Sequence, residues 1–445
     1  MFGNFTTKDE ESISPIGFSV NAIEMISNSG HTFSFTDLVH QIKIIENLNM
    51  KSIIVLVFIE DSINLGSEIK LAGNENIRIS IGRVEPGGEE KVLNLNLQVS
   101  DITNYSEPTP SSQAYTLVCV SKHAYLNNKK LLNKPFNGPA KDLIEDIVKS
   151  HLQSEIDIQV SSKGLMKGIY PNLKPYDAIQ WLMRNATINN SPMFFYETAK
   201  DGLIFTSYYH LLKNKDTPFN VYNKNPFFSG TLDGKKPDEI FMEEKLKIRK
   251  FNSSMELSKL TPAEIGMFGS TLNTIDISTK TINKHEFDWN EEPLQEYLNA
   301  FPAVAPEMKI TDTDSTLFDL KYKQYYQSLN KHAFDEGVNY HANTDGNGLL
   351  KAFTAGKLLH NFAIEIDLAG DFEMTPGNII ELETLKYADI QKDVDNEEDF
   401  MDEFTGGNYL VQGVEHTFNK NGYLMKVKAI KDSLLTYPVD FIGDV

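Results

Sequence analysis

Cysteine is almost missing from this sequence, which has one among 445 residues. A disulfide within the chain is therefore impossible, and a zinc site built on several thiolates is very improbable. Cys119 lies in the apolar run AYTLVCV. We expect it to be a buried structural thiol.

Long apolar runs are also missing. The longest, SIIVLVFI (Ser52 to Ile59), suits one buried strand and falls short of the roughly 18 residues that cross a bilayer. The first residues, MFGNFTTKDEES, have neither a basic start nor an apolar core. We therefore expect no membrane span and no signal peptide.

Positive charge is in deficit, with 42 basic residues against 62 acidic ones and a net charge of -20. A protein that holds nucleic acid by neutralising phosphates needs clustered Lys and Arg, so the composition argues against that class. Passing contact with DNA stays compatible, because an acidic wall repels phosphate and lets DNA slide by.

The first 114 residues have the pattern of β-strands. RISIGRV (Arg78–Val84) and LNLNLQV (Leu93–Val99) alternate with period two, as half-buried strands do. EPGGEE between them predicts a hairpin turn, and Asn104–Gln113 predicts a surface connection.

Residues 115–215 have the pattern of an α+β unit. A strand around Cys119 precedes two predicted helices, Asn137–Gln153 with Pro139 near its first turn and Lys174–Ala186. A hairpin then turns at Lys200-Asp201-Gly202.

Residues 216–350 have a mixed pattern. We predict charged, strand-like structure in Asn225–Ser253, strands with glycine breaks in Leu260–Trp289, extended chain in Glu296–Ser315 and a helix in Leu317–Gly337.

Residues 351–435 return to a β pattern and precede a tail at 436–445. Two strands are predicted to join through Pro376-Gly377, and a hairpin has Asn421-Gly422 in its turn.

An acidic stretch separates these two predicted hairpins. It could be a metal site, a pair of catalytic carboxylates or a loop, and its acidic residues are Asp393, Asp395, Glu397, Glu398, Asp399, Asp402 and Glu403. A calcium loop of the EF-hand type starting at Asp393 needs Gly and Glu where Glu398 and Phe404 stand. A solvated loop between strands is the favoured interpretation.

Other candidates for chemistry are weak. The ten histidines show no paired-ligand spacing, and His416 in a strand is expected to be a packed or interface residue. Gly266–Ser270 (GMFGS) lacks the lysine of a nucleotide loop and predicts a turn with close backbone approach. Aromatic clusters suit core or interface packing better than base or sugar stacking. A glycosidase carboxylate pair is neither identified nor dismissed. We assign no catalytic, cofactor-binding or metal-binding residue.

Several segments, in one order along the chain, resemble the central baseplate hub protein of contractile-tailed bacteriophages of the T-even type. These are Ile54–Ile81 with its LAGNE turn, Ala114–Lys130, Ser191–Tyr208, Ile265–Lys280, Ile364–Leu382 and Gly406–Phe418. The resemblance covers about residues 20 to 430, and it departs from the family pattern in Leu385–Gly406 and around 290–350. No catalytic residue comes with it.

The resemblance implies a β-dominated α+β fold with two tail-tube-like β-barrel domains and inserted α+β domains. It divides the chain into a first tube-like domain (1–114), an α+β domain (115–215), a second tube-like domain in two parts (216–350 and 351–435) and a tail (436–445).

The implied function is structural: a homotrimeric ring of pseudo-sixfold symmetry that adapts the sixfold tail tube to the threefold spike. Ring closure also removes exposed sheet edges. Expected partners are further copies of the chain, a spike or tail-lysozyme-type protein, a tail-tube or tube-initiator protein, and DNA passing through the channel during genome ejection. No cofactor is expected. The expected location is the virion, after synthesis in the host cytoplasm.

Two alternatives remain open. One is the spike-base protein of a contractile secretion system, although nothing in the sequence repeats like a β-helical needle. The other is a tail-associated hydrolase of cell-wall glycan or peptide, which would need a carboxylate pair or a zinc triad in one cleft.

Overall fold

A computed structural model describes residues 14–436 with gaps. The gaps are 28–29, 65, 67–68, 70, 72, 87, 110–111, 161–164, 186–187, 224–235, 256–262, 278–279, 290, 292–293, 295, 303–313, 317–318, 320–322, 329–346 and 385–401.

Strands dominate the described chain. The N-terminal strands are β1 (Ser19–Ile26), β2 (Thr32–Ser34), β3 (Val39–Asn47), β4 (Ile54–Asp61), β5 (Asn76–Val84), β6 (Glu90–Thr109) and β7 (Ser112–Ser121). The central strands are β8 (Pro135–Pro139), β9 (Ile156–Ile158), β10 (Leu165–Ile169), β11 (Met193–Thr198), β12 (Gly202–Ser207) and β13 (Val221–Asn223). The remaining strands are β14 (Lys250–Met255), β15 (Gly269–Asp276), β16 (Thr281–Asp288), β17 (Phe301–Pro302), β18 (Lys323–Ser328), β19 (Phe362–Ala369), β20 (Ile379–Glu383), β21 (Gly407–Asn419), β22 (Gly422–Lys431) and β23 (Ser433–Leu434).

The helices are short and lie mostly in the middle of the chain. They are α1 (Lys122–Leu126), α2 (Ala140–Ile147, continued by a π-helical turn over Val148–Leu152), α3 (Pro175–Arg184), α4 (Tyr208–Leu212), α5 (Pro237–Leu246) and α6 (Asn347–Leu358). In the part of the chain that the structure describes, no helix is both long and apolar enough to cross a bilayer.

One large sheet unites the N-terminal and C-terminal strands. Across the described residues its order is β14-β19-β22-β21-β3-β4-β7-β6-β5-β1-β2, with β20 paired to β21 and β13 paired to β20. The two strand sets meet where Gln41–Asn47 of β3 pairs antiparallel with Gly413–Asn419 of β21. We call this sheet the shared sheet.

The alternation of apolar residues explains why these segments form strands. Strand β4 alternates half-buried and buried residues along its whole length, as a strand with one covered face must. Separate apolar cores lie under the N-terminal strands, around Val57 and Ile79, and under the C-terminal strands, around Ile366 and Val427. Cys119 is fully buried in the first core, and burial raises the pKa of its thiol. The predicted structural thiol is confirmed.

The middle of the chain contains the predicted helices and hairpin. Helices α2 and α3 pack on the β11–β12 hairpin, which β9 extends in parallel. Gly202 has a φ of 74° at the predicted turn, which a residue with a side chain would resist. Strand β7 pairs with β4 and β6 on both sides of residue 114, and the domain borders themselves stay predictions.

Four local predictions were wrong. Residues 104–109 are not a connection, because β6 continues to Thr109 through irregular pairing with β7. Part of the predicted strand-like segment 225–253 is helix α5. It begins at Pro237 after Lys236, whose backbone N–H donates to the Glu239 carboxylate at 3.2 Å.

The other two errors concern pairing. Lys323–Ser328, inside the predicted helix 317–337, is a strand because it pairs in parallel with β15. Strands β19 and β20 both exist around Pro376-Gly377 but form no hairpin: β19 pairs with β14 and β22, and β20 pairs with β13 and β21. Tertiary pairing overrode the local pattern in both cases.

The β-dominated α+β class is confirmed. The arrangement as two tube-like barrels stays a prediction.

Candidate functional site

The shared sheet has one face on the two cores and one face toward solvent. In-register partners across seven neighbouring strands place one row of side chains on the solvent face: Lys250, Asp367, Lys426, Glu415, Ile45, Ile54 and Val120. Charges alternate in sign along the C-terminal half of the row, and aliphatic side chains continue it in the N-terminal half.

Cross-strand ion pairs hold the charges of this face. Lys43 Nζ lies 2.6 Å from Glu415 Oε1, and Lys426 Nζ lies 3.3 Å from Glu365 Oε1. The hydrogen bond to Glu365 raises the pKa of Lys426. Opposite charges on neighbouring strands stabilise the sheet modestly, and here they also occupy these two lysines.

The buried side of the β3–β21 pair contains a polar cluster. Glu46 is 2% exposed, and its Oε1 accepts the Ala199 backbone N–H of the β11–β12 turn at 3.1 Å. His416 Nε2 lies 3.8 Å from that oxygen, and His416 Nδ1 is 2.8 Å from the Tyr423 hydroxyl. Burial raises the pKa of Glu46 to about 8 and lowers the pKa of His416 to about 4. His416 was predicted to be a packed or interface residue, and it is packed.

A second buried cluster ties the α+β unit to the start of β4. The Ser121 hydroxyl donates to Glu197 at 2.6 Å, and the Ile53 backbone N–H donates to the same carboxylate at 2.8 Å. His123 Nε2 lies 3.0 Å from Glu197, and His123 Nδ1 faces the Tyr176 hydroxyl. These residue types occur in serine hydrolases, but here the serine donates to the carboxylate and not to the imidazole. The imidazole therefore does not lie beside the serine hydroxyl, as it does in the triad of those enzymes.

Residues Lys431, Asp432 and Ser433 form a third joint, at the end of β22. The Lys431 ammonium, which is fully buried, donates to the carbonyls of Phe404 and Gly406 at 2.8 and 2.7 Å. Asp432 accepts from the Tyr208 hydroxyl at 2.5 Å and from the Leu298 backbone N–H at 3.1 Å. The joint therefore connects β22 to the chain before β21, to α4 and to the segment before β17.

Helix α5 is fastened to the shared sheet by buried charges. Lys245 Nζ lies 2.8 Å from Asp371 and 3.9 Å from Glu85. Glu85 in turn lies 3.4 Å from Nε of Arg83, whose side chain is fully buried. The cluster spans β5, α5 and the turn after β19.

Two clefts lie beside these joints. One, of about 300 Å³, lies between the β3–β4 turn, α3, β11 and the end of α6. The other, of about 350 Å³, contains Glu296 and Asp432. Asp432 already accepts hydrogen bonds on both of its oxygens, so its carboxylate is structural in character.

The acidic stretch is described only in part. Asp393 to Asp399 lie outside the described residues. Asp402 is described, and its carboxylate accepts the Phe404 backbone N–H at 3.1 Å, which shapes the chain before β21. The flanking strands β20 and β21 are both present, and they pair antiparallel with each other. Among the residues described, no group of three His, Cys, Asp or Glu side chains has the geometry of a metal site.

The glycine turn at Gly266–Ser270 fits its prediction. Gly266 has a φ of 80°, and a Cβ there would lie 2.8 Å from the Lys323 Cβ. The close backbone approach is confirmed.

Sequence reasoning missed Glu46, Glu197 and Lys431. A signal was present for Glu46, because it occupies the same strand face as the buried Ile42 and Ile44. A charged residue at a core position is expected to be paired or neutral.

No protein-family model matches the chain, and no curated protein matches it. The structure superimposes on a tail protein from Neisseria meningitidis with a TM-score of 0.52 and 9% identity, over 94% of this chain and 97% of that chain.

The chain has a tail-protein fold.

Two further solved structures are similar at lower TM-scores. A tail protein of the prophage MuSo2 from Shewanella oneidensis gives 0.49 at 10% identity, covering 93% of this chain and 99% of that one. An E. coli type VI secretion system component, described as similar to T4 bacteriophage tail proteins, gives 0.41 at 9% identity, covering 94% and 77%. The tail-protein fold agrees with the resemblance to the baseplate hub family.

Proposed function

We propose that this protein is a structural hub of a contractile phage tail baseplate. Three copies form a ring of pseudo-sixfold symmetry that adapts a sixfold tail tube to a threefold spike. The observation that carries the proposal is the tail-protein fold, which extends over 94% of this chain and 97% of the Neisseria protein.

The shared sheet supports this role. In a trimeric ring of pseudo-sixfold symmetry, each subunit contributes two β units, and these must be held in a fixed relation. Here the strand sets of the two units are hydrogen-bonded to each other through β3 and β21, and the buried Glu46 and Lys245 clusters reinforce the junction. Three such subunits supply six β units.

The solvent face of the shared sheet suits a channel wall for DNA. Lys43 and Lys426 are held by Glu415 and Glu365, so they are poorly available to phosphates. Such a wall would let DNA pass without retaining it. The proposed partners are a spike or tail-lysozyme-type protein on one side and a tail-tube or tube-initiator protein on the other.

The proposed role is non-enzymatic, in the virion, after synthesis in the host cytoplasm. The domain division 1–114, 115–215, 216–350 and 351–435 is part of the same proposal.

The mass of the purified protein in solution, measured by light scattering after size exclusion, tests the ring. We expect about three times the chain mass of 50.3 kDa. A chain that stays monomeric at all concentrations, and also in the presence of the candidate spike protein, would contradict the trimer. Digestion of purified cell wall by the same sample would instead favour a hydrolase.

A further inference from the structure

Three parts of the chain meet at the buried end of β3. Glu46 lies there on β3, His416 and Tyr423 come from the β21–β22 hairpin, and Ala199 comes from the β11–β12 turn of the α+β unit. Ala199 also packs on the N-terminal core. Movement of the turn away from the sheet would therefore expose the Glu46 carboxyl group.

The carboxyl group of Glu46 is held only on one side. Oε1 accepts the Ala199 N–H, whereas Oε2 is buried and has no hydrogen-bond partner within the described part of the chain. A neutral carboxyl group tolerates this environment better than an anion, because an unpaired buried charge is far costlier than an unpaired buried dipole.

The basic groups around Glu46 are engaged elsewhere. Lys43 is on the opposite face of β3 with Glu415, and Lys200 of the turn is bound to Glu373. Arg83 lies against the Tyr423 ring and pairs with Glu85.

The other groups that face Glu46 do not compensate a negative charge. Glu197 on β11 and Asp201 in the turn raise the pKa of Glu46 further, and Asp371 acts on the neighbouring Tyr423 and His416. His416 is neutral near pH 7, since burial lowers its pKa to about 4. An ionised Glu46 would thus face two carboxylates and a neutral imidazole.

We propose that the protonation state of Glu46 controls whether the β11–β12 turn stays docked on the β3–β21 strand pair. With Glu46 protonated the turn is docked and the α+β unit is fixed to the shared sheet. With Glu46 ionised the turn opens so that water reaches the carboxylate. This inference goes beyond the proposed hub function and does not depend on it.

The direction of the pH effect follows from linkage. Glu46 has a pKa of about 8 when docked and an ordinary value near 4.5 when exposed, so the docked form is favoured at low pH and loses its advantage as pH rises through 8. Below its ordinary pKa of 6.5, His416 has the opposite effect on the docking of the turn. Together they predict that the opening constant of the turn rises roughly tenfold between about pH 6 and pH 8.5.

Amide hydrogen exchange of peptides covering residues 196–204, corrected for the intrinsic pH dependence, measures this opening on the full chain. In wild type, the protection of these peptides against hydrogen exchange should fall about tenfold between about pH 6 and pH 8.5. Glu46→Gln, which keeps a neutral group of the same shape, should show no such loss. Glu415→Gln is the matched control, since Glu415 is on the solvent face of β21, and it should behave as wild type.

Infrared difference spectroscopy provides a second readout that does not depend on exchange. The carbonyl stretch of a protonated carboxyl group should disappear as wild type is titrated through about pH 8, and it should be missing in Glu46→Gln. An equal loss of protection in wild type and Glu46→Gln would overturn the proposal. So would a wild-type spectrum without that band at pH 6.

Discussion

Lys431 is a cation without a carboxylate at ion-pair distance among the described residues. Its ammonium group bonds two backbone carbonyls and lies 4.7 Å from the centre of the Tyr409 ring. Burial lowers its pKa to about 7, although Asp402 and Asp432 oppose the shift. The side chain thus combines two good hydrogen bonds with a costly charge.

This balance predicts a pH-dependent effect of Lys431→Met. Between pH 7 and the ordinary lysine value of 10.5, the unfolded chain holds a proton that the folded chain has released, so wild-type stability rises with pH. The free energy of unfolding of wild type should increase relative to Lys431→Met by roughly 1 kcal/mol per pH unit from about pH 7.5 to 9. Urea unfolding at several pH values measures it.

Lys428→Met is the control, because Lys428 is exposed on the same strand. Its difference from wild type should be independent of pH. If the difference in the free energy of unfolding between Lys431→Met and wild type were also independent of pH, Lys431 would not be the costly buried charge described here.

Single residues were predictable where burial alone decides their state. The surrounding apolar pattern placed Cys119 in the interior, and His416 was expected to be a packed or interface residue. Both are buried. Glu46 and Lys431 were not predictable as a proton-binding group and a buried cation, because their pKa values depend on what distant segments place beside them. Ala199 is 153 residues from Glu46, and Phe404 is 27 from Lys431.

At the scale of elements, the β21–β22 hairpin is the central one of the C-terminal strands. Gly422 closes it with a φ of 113°, and a Cβ there would lie 2.9 Å from both Cβ and the carbonyl oxygen of Ile16. The glycine therefore serves both the turn and the approach of the N-terminal segment.

Gly422→Ala should destabilise the protein by about 2–4 kcal/mol, from backbone strain together with the contact at Ile16. Gly30→Ala is a matched control, since Gly30 also has a positive φ, of 86°, but no atom of the described residues lies within 4 Å of the added Cβ. It should cost only about 1–2 kcal/mol. Equal losses in urea unfolding would show that the Ile16 contact is unimportant.

The buried ion pair between Lys245 and Asp371 helps to hold helix α5 on the shared sheet. Lys245 is 11% exposed and Asp371 is 3% exposed, so removing the lysine leaves a buried carboxylate without its closest cation. We expect Lys245→Met to cost about 2–4 kcal/mol and the double variant with Asp371→Asn to recover much of that loss.

A double-mutant cycle by urea unfolding measures the coupling between Lys245 and Asp371. Lys247→Met, which removes an exposed pair with Glu244, should cost below about 1 kcal/mol. Additive effects of the two changes at the buried pair would refute this account of how α5 is held.

Elements were predictable where local pattern and tertiary context agree, as in β4, α3 and the hairpins at Gly202 and Gly422. They were mispredicted where pairing decides. Residues 323–328 contain Tyr325-Tyr326, which suit a strand, yet only β15 beside them makes that strand. Helix α6 was not predicted, because its small and apolar residues show little amphipathic contrast.

At the scale of the whole molecule, contact with DNA depends more on the charges of the solvent face than on the net charge of -20. The acidic excess suggests a repelling channel wall, whereas the described solvent face alternates positive and negative side chains. In the proposed channel, carboxylates limit DNA contact mainly by occupying the lysines.

The double variant Glu365→Gln with Glu415→Gln should therefore gain DNA binding. Freeing Lys426 and Lys43 should steepen the logarithmic salt dependence of DNA binding by roughly one to two units. Fluorescence anisotropy with duplex DNA at a series of salt concentrations measures the slope.

Glu145→Gln with Asp146→Asn makes the same change in net charge and frees Lys149 and Lys134, which lie in the α+β unit. This control should leave the slope unchanged. An equal gain in both double variants would show that net charge, and not the solvent face, limits DNA contact.

The sequence by itself determined the β-dominated class, the places of most strands and turns, and the absence of disulfides. These depend on side-chain alternation, on residues that tolerate positive φ and on composition, all of which are local. The tertiary structure alone decided that β3 pairs with β21, that Glu46 meets Ala199 and His416, and that Lys431 is buried between carbonyls. Such contacts join segments up to hundreds of residues apart, and their free energies depend on burial, which no local pattern specifies.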